Sequence, residues 1–128
     1  MSLDLTQYRP QIEAALVYGG GTHLFVDVAQ MVFDGRAQAW VNGGSIAVTE
    51  IVVYPRKKVL HCFLAGGKSR EIIEMMPSAA KWGAMHGCTS FTIAGRRGWQ
   101  RVLAKHGWRP TMQVMAAQIN SDGAIQND

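Results

Sequence analysis

The chain has 128 residues, 48% of them hydrophobic and only 17% charged, against about 25% charged in an average soluble protein, so a core is readily built, disorder is excluded and a two-domain enzyme is not expected. The net charge of +4 is unevenly placed: residues 1–54 are acidic on balance, whereas residues 75–121 carry six bases (Lys81, Arg96, Arg97, Arg101, Lys105, Arg109) and no acid. Such a one-sided field suits a polyanion, a phosphorylated small molecule or an acidic protein surface, and a solvated helix face is its plainest account. No apolar run approaches the roughly 20 residues that cross a bilayer.

The first pattern in chain order is helical: Ile12, Ala15 and Leu16 share a face over 8–17, with Pro10 in the first turn, and Gly19-Gly20-Gly21 ends it. Thr22 is the expected N-cap of a second helix, HLFVDVAQMVF, apolar around most of its circumference and so expected to be largely buried. The period then changes. AQAWVN, SIAVTEIVVY and KVLHCFLA, separated by Gly43-Gly44 and Pro55-Arg56-Lys57, predict a three-stranded antiparallel meander. A helix follows from Ser69, its expected N-cap, to about His86, with Ile72, Ile73, Met76, Ala80 and Gly83 as its buried stripe and Pro77 placed to kink or break it. Then come a short strand, CTSFTIA, a helix, RRGWQRVLAKH, and a last strand over 111–119, TMQVMAAQI, with period-two alternation. The polar tail, 120–128, is expected to fray.

Two side chains on the predicted meander are candidate general bases. Glu50 interrupts the apolar run AVTEIVV, so it either faces solvent within an alternating strand, the simpler account, or is buried with a shifted pKa. His61 alternates with Leu60 and Cys62, and a lone histidine in a strand is more often a bonded structural residue than a base or ligand. Adjacent strand residues point to opposite faces, which argues against a nucleophilic pair made from His61 and Cys62. His86 and Cys88 flank Gly87 without a second ligand pair, so no metal is expected. The start of the chain lacks the features of a signal peptide, and both cysteines, Cys62 and Cys88, fall in apolar strand-like stretches, so reduced thiols inside a cell are expected.

The segment 95–108 is the most informative. Trp99, Val102, Leu103 and His106 form one core-facing stripe, Arg97, Arg101 and Lys105 lie on another side, and Gly107 stands where a left-handed cap residue is expected. A strand, a helix opened by a polar residue and a closing Gly-aromatic pair resemble the fourth helix of the GNAT-type N-acetyltransferase fold, whose pattern is Asn-x-x-Ala-x-x-x-Tyr-x-x-x-Gly-Phe. The order of elements resembles that fold as well. The resemblance implies one α/β domain over 1–128, order ααβββαβαβ, with a mixed, mainly antiparallel sheet and without the usual first strand.

Aligned on Gly107-Trp108, the chain departs from the catalytic pattern. Arg96 stands where the family has Asn, Trp99 where it has a small Ala, and Leu103 where it has the Tyr that often protonates the leaving thiolate. The family's cofactor is acetyl-CoA, held by a loop of spaced glycines before the third helix; here that loop reads Ala65-Gly66-Gly67-Lys68-Ser69-Arg70-Glu71, which is shorter. If acetyl-CoA binds, Gly66, Gly67, Lys68 and the Ser69 helix start would form an anion nest, with Arg70, Arg96 and Arg97 beside it. A Gly-Gly turn that merely leaves a strand is the commoner explanation.

Two functions follow from the resemblance. One is a catalytically degenerate member of the fold, similar to small bacteriophage and prophage proteins, acting with a protein partner as a virion-associated or assembly component in the host cytoplasm or the particle. The alternative is an active small acyltransferase moving an acetyl group from acetyl-CoA to an amine, with Glu50 or a water as base. Six bases spread thinly, and tryptophans assignable to packing, make nucleic acid an unexpected partner.

Overall fold

The computed structural model describes residues 4–95 and 98–126. The carboxylate of Asp4 accepts the Thr6 amide at 2.9 Å and starts a 3-10 turn, Leu5–Tyr8, that leads into α1, Arg9–Tyr18, with Pro10 in its first turn as expected. Gly20 and Gly21, at φ +82 and +73, reverse the chain where a side chain would be strained. Helix α2 spans Phe25–Phe33 and is capped differently from the sequence expectation. The Asp27 carboxylate accepts the Leu24 amide at 2.8 Å, while the Thr22 hydroxyl bonds its neighbour His23 at Nδ1. Nor is α2 largely buried: it lays one face on the core, only Val28 is sealed, and Val26 and Phe33 stand in solvent.

Strands β1 (Gln38–Asn42), β2 (Ser45–Val53) and β3 (Lys58–Gly66) form the expected meander. A fourth strand, β4 (Cys88–Ile93), reached through α3, joins β3 in parallel. The sheet is four-stranded, in the order β1-β2-β3-β4. One irregularity organises it. Val48 pairs with Leu64 and Thr49 with Cys62, so Phe63 is an extra residue bulged out of β3. Before it, Cys62 faces the α3 side; after it, Leu64 joins Ile46 and Val48 beneath α1 and α2.

Two cores result, one per sheet face. Leu5, Ile12, Val28, Ile46, Val48 and Leu64 pack on the α1/α2 side. On the other side Ala47, Cys62, Ile72, Met75 and Met76 pack with partly buried Trp40, Phe91, Trp99 and Trp108. Helix α3, Ser69–Met85, is continuous through Pro77, which neither breaks nor ends it. Its buried residues are Ile72, Met75, Met76, Ala79 and Gly83, a strict helical row; Ile73 is only partly covered and Ala80 is exposed, so the stripe is rotated from the expected one. The N-cap is Lys68, not Ser69.

Helix α4, Gly98–Ala104, buries Leu103 and half-buries Trp99 and Val102. His106, expected on that stripe, lies beyond the helix and is exposed, because Gly107 at φ +88 turns the chain and both the His106 and Trp108 amides return to the Leu103 carbonyl. Arg96 and Arg97 lie outside the described residues. The expected last strand over 111–119 does not form. Trp108 docks edge-on against Phe91, ring centroids 4.9 Å apart, and Pro110 follows, so the chain leaves beside the sheet instead of pairing with it. Alternation alone makes no strand without a ladder partner. Beyond it, the Asn120 amide bonds the Ala124 carbonyl and Ile119 bridges Ile125.

Candidate functional site

The two candidate bases come together. In the antiparallel β2–β3 ladder Glu50 lies directly opposite His61, and in the parallel β3–β4 ladder His61 lies opposite Thr92. Residues so paired share a face, so Glu50, His61 and Thr92 form a row across three strands on the α1/α2 side of the sheet. His61 Nδ1 and the Thr92 hydroxyl are 2.8 Å apart, which leaves Nε2 as the free ring nitrogen. Burial holds the histidine below its ordinary pKa, and the Glu50 carboxylate opposes that shift to a smaller degree. A neutral imidazole at neutral pH follows. Cys62 points to the opposite face, as adjacency requires, and its Sγ donates to the Leu64 carbonyl at 3.2 Å; burial pushes its thiol up to about 12, which leaves no thiolate for nucleophilic work.

The second grouping is at the start of α3. Gly67, at φ +124, lies so close to Ser45 that a Cβ there would collide with the Ser45 side chain, and a Cβ on Gly66 would collide with the Gln11 carbonyl. The Lys68 amide donates to the Ser45 hydroxyl at 2.8 Å. That hydroxyl in turn donates to the Glu71 carboxylate at 2.6 Å. Glu71 is the third residue of α3, so its charge lies against the positive end of the helix dipole. Asn42 Nδ2 bonds the Glu71 carbonyl at 2.9 Å and the Glu74 carboxylate at 3.2 Å, clamping the β1–β2 turn to α3. An open cleft of about 350 Å³ is lined by Gln11, Gly44, Ser45, Gly67, Lys68 and Glu71. Gln11 spans it, Nε2 donating to the Gly44 carbonyl at 2.6 Å, with its Oε1 buried and unbonded.

Of the predicted loop residues, Gly67 and Lys68 line this cleft, whereas Gly66, Ser69 and Arg70 do not; Lys68, Ser69 and Arg70 are exposed, and the cleft is lined by none of Glu50, His61 and Thr92. Sequence reasoning missed Ser45, Glu71 and Gln11. The Gly-Gly turn before Ser45 and a Glu three residues after the cap were visible signals for the first two. Nothing local marks Gln11, which reaches the cleft by the packing of α1 on the sheet, its backbone lying against Gly66 at the end of β3. Among the described residues no group of three His, Cys, Asp or Glu side chains is placed to hold a metal ion, and no helix is long and apolar enough to cross a membrane.

No family model matches the chain, and no curated protein matches it in sequence. Its architecture does match solved structures. An acetyltransferase of Trypanosoma brucei superposes with a TM-score of 0.59 at 12% identity, over 87% of this chain and 94% of that one. A tetramutant of the BH1408 protein from Bacillus halodurans gives 0.65 at 12% identity over 91% and 94%. A point mutant of TTHA1254 from Thermus thermophilus gives 0.60 at 12% identity over 88% and 93%. The chain has a GNAT-like mixed α/β fold in a single domain.

Proposed function

We propose that this GNAT-like fold is used for binding rather than for acyl transfer, as a protein-binding or assembly component such as a small bacteriophage or prophage protein. The observation that carries this reading is the Glu71 carboxylate. In acetyl-CoA-dependent members the loop before α3 gives its N–H groups to a diphosphate. Here that helix start already has an anion, fixed by the Ser45 hydroxyl. Two like charges about 4 Å apart repel by roughly 1 kcal/mol in bulk water and about 4 kcal/mol near a protein surface, so a diphosphate placed there would be opposed. The general-acid position is also empty of a proton: Leu103 occupies it and is 3% exposed.

Titration calorimetry with acetyl-CoA is expected to show no saturable heat up to millimolar ligand. Saturable binding that is lost in Lys68→Glu would overturn the reading.

A second reading, acetyl transfer from acetyl-CoA to an amine, is favoured by the His61 row. A neutral His61 Nε2 would take the amine proton as the nitrogen attacks the thioester carbonyl, with Glu50 opposite to stabilise the imidazolium. The C–N bond forms, the C–S bond breaks, and the thiolate draws its proton from solvent because Leu103 has none. Release of free thiol on incubation with acetyl-CoA and simple amines, lost in His61→Gln, would establish this reading in place of the first.

A further inference from the structure

The β2–β3 turn stands at the end of the sheet away from the cleft. The Tyr54 amide donates to the Lys57 carbonyl at 2.8 Å and closes the turn, and the nine residues of β2 place it roughly 25 Å from Ser45. Val53 and Lys58 are the last pair of the ladder. Arg56, Lys57 and Lys58 follow one another and are all exposed, and residues 51–70 contain no acid. Glu50, the nearest acid in the chain, belongs to the opposite face of the sheet from Val53 and Lys58.

The same end of the molecule carries the C-terminus of α3. A Cβ on Gly87 would lie 3.7 Å from the Lys58 Nζ, so that ammonium sits beside the end of α3, where the helix dipole is negative. Arg56 and Lys57 have no such use: among the described residues their side chains make no hydrogen bond or ion pair. Lys81 and Met85, one turn apart, share an outward side of α3, and Lys81 is likewise unpaired. Apolar surface is interleaved with these bases. Val53 is 68%, Tyr54 53% and Met85 79% exposed, a grouping that differs from the single exposed apolar residues ordinary on any surface.

We infer that the β2–β3 turn and the adjoining end of α3 dock on an anionic lipid surface, with Arg56, Lys57 and Lys81 at the headgroup phosphates and Val53, Tyr54 and Met85 entering the interface. Charge complementarity is the first argument. Each base held near an anionic leaflet raises partitioning about five-fold, so three raise it about a hundredfold, and no carboxylate in 51–70 or 75–121 opposes them.

The apolar residues choose between polyanions. A nucleic-acid backbone would take the bases and stack a base on Tyr54, but would leave Val53 and Met85 wet. A bilayer accepts all of them: the aromatic ring at headgroup level, and the valine and methionine at the acyl boundary. Such peripheral contact needs no spanning helix, and the described residues contain none. The inference concerns the far end of the sheet and holds whatever the cleft or the His61 row binds.

The test is flotation of the full chain with vesicles of phosphatidylcholine containing about a third phosphatidylserine. The protein is expected to float with them at about 50 mM salt, to be released at about 500 mM, and to ignore vesicles of phosphatidylcholine alone. The double variant Arg56→Glu/Lys57→Glu is expected to lower partitioning by about a hundredfold or more. Val53→Asn and Tyr54→Asn, which leave the charge unchanged, are each expected to weaken it several-fold without altering its salt dependence. All four side chains are exposed, so each variant keeps the parent's far-ultraviolet spectrum and melting temperature. No flotation at low salt would overturn the inference, as would flotation that survives the double charge reversal or that is equal on neutral vesicles. Binding to duplex DNA that is lost on charge reversal but indifferent to Val53→Asn and Tyr54→Asn, without flotation, would assign the surface to a nucleic acid and also overturn it.

Discussion

The hydroxyl of Ser45 at the start of β2 donates to the carboxylate of Glu71 in the first turn of α3, 2.6 Å away, although 26 residues separate them. Ser45 is fully buried, and its oxygen also accepts the Lys68 amide, so one hydroxyl ties the β1–β2 turn to the helix start. Ser45→Ala would leave the Lys68 amide and the Glu71 carboxylate without that partner, at a cost of about 1–3 kcal/mol. Urea denaturation at neutral pH is expected to show a lower midpoint with an unchanged slope.

The same contact sets what the loop can hold. Glu71→Gln keeps a hydrogen-bond acceptor for Ser45 and removes the charge. On the binding-component reading, a weak affinity for inorganic pyrophosphate or CoA is expected to appear in Glu71→Gln where the parent has none, seen as a ligand-dependent rise in melting temperature. Equal behaviour of the two proteins would show that the carboxylate is not what excludes the anion.

Gly67 gives a test of how rigid that junction is. Its φ of +124 disfavours any L side chain, and a Cβ would strike Ser45. Gly67→Ala is expected to destabilise by more than the roughly 1 kcal/mol that backbone strain alone costs. Gly98→Ala, where a Cβ meets nothing within 4 Å, is the control and is expected to leave the urea midpoint unchanged or raise it.

Most of the fold was legible because its signals are local and periodic. The meander announced itself in β-branched runs divided by Gly43-Gly44 and Pro55-Arg56-Lys57, and the strand ends moved by one residue at most. Failures came where the deciding partner is distant. The 111–119 alternation reads as a strand, yet a strand needs a ladder partner, and among the described residues the segment pairs with none of the four strands. Thr22 and Ser69 are good capping residues in isolation. Asp27 and the distant Ser45 hold those helix starts instead. Glu50 and His61 were visible as polar interruptions, but their being opposite each other depends on register, which the β2–β3 turn fixes.

The two cysteines are expected to differ in reactivity. Cys62 is fully buried and its thiol is raised to about 12, whereas Cys88 is partly exposed at the start of β4. Thiol titration with an aromatic disulfide at about pH 8 is expected to modify Cys88 in the folded protein and Cys62 only after unfolding. Fast modification of both would show that the α3 side of the sheet opens readily.

His61 makes stability depend on pH with a definite sign. Burial lowers its pKa in the folded protein from 6.5, and Glu50 only partly offsets this. As pH falls below 6.5 the unfolded chain therefore takes up a proton before the folded one does. The unfolded state then binds more protons, so stability is fully present above that value and is lost as pH falls through the folded-state pKa. His61→Gln keeps a polar group beside Thr92 but cannot titrate. Melting curves taken from about pH 8 down to about pH 5 are expected to fall more steeply for the parent than for His61→Gln, with the divergence beginning near the unfolded histidine value. Parallel curves would mean that His61 charges as readily in the sheet as in the unfolded chain, so that burial does not hold its pKa below the ordinary value.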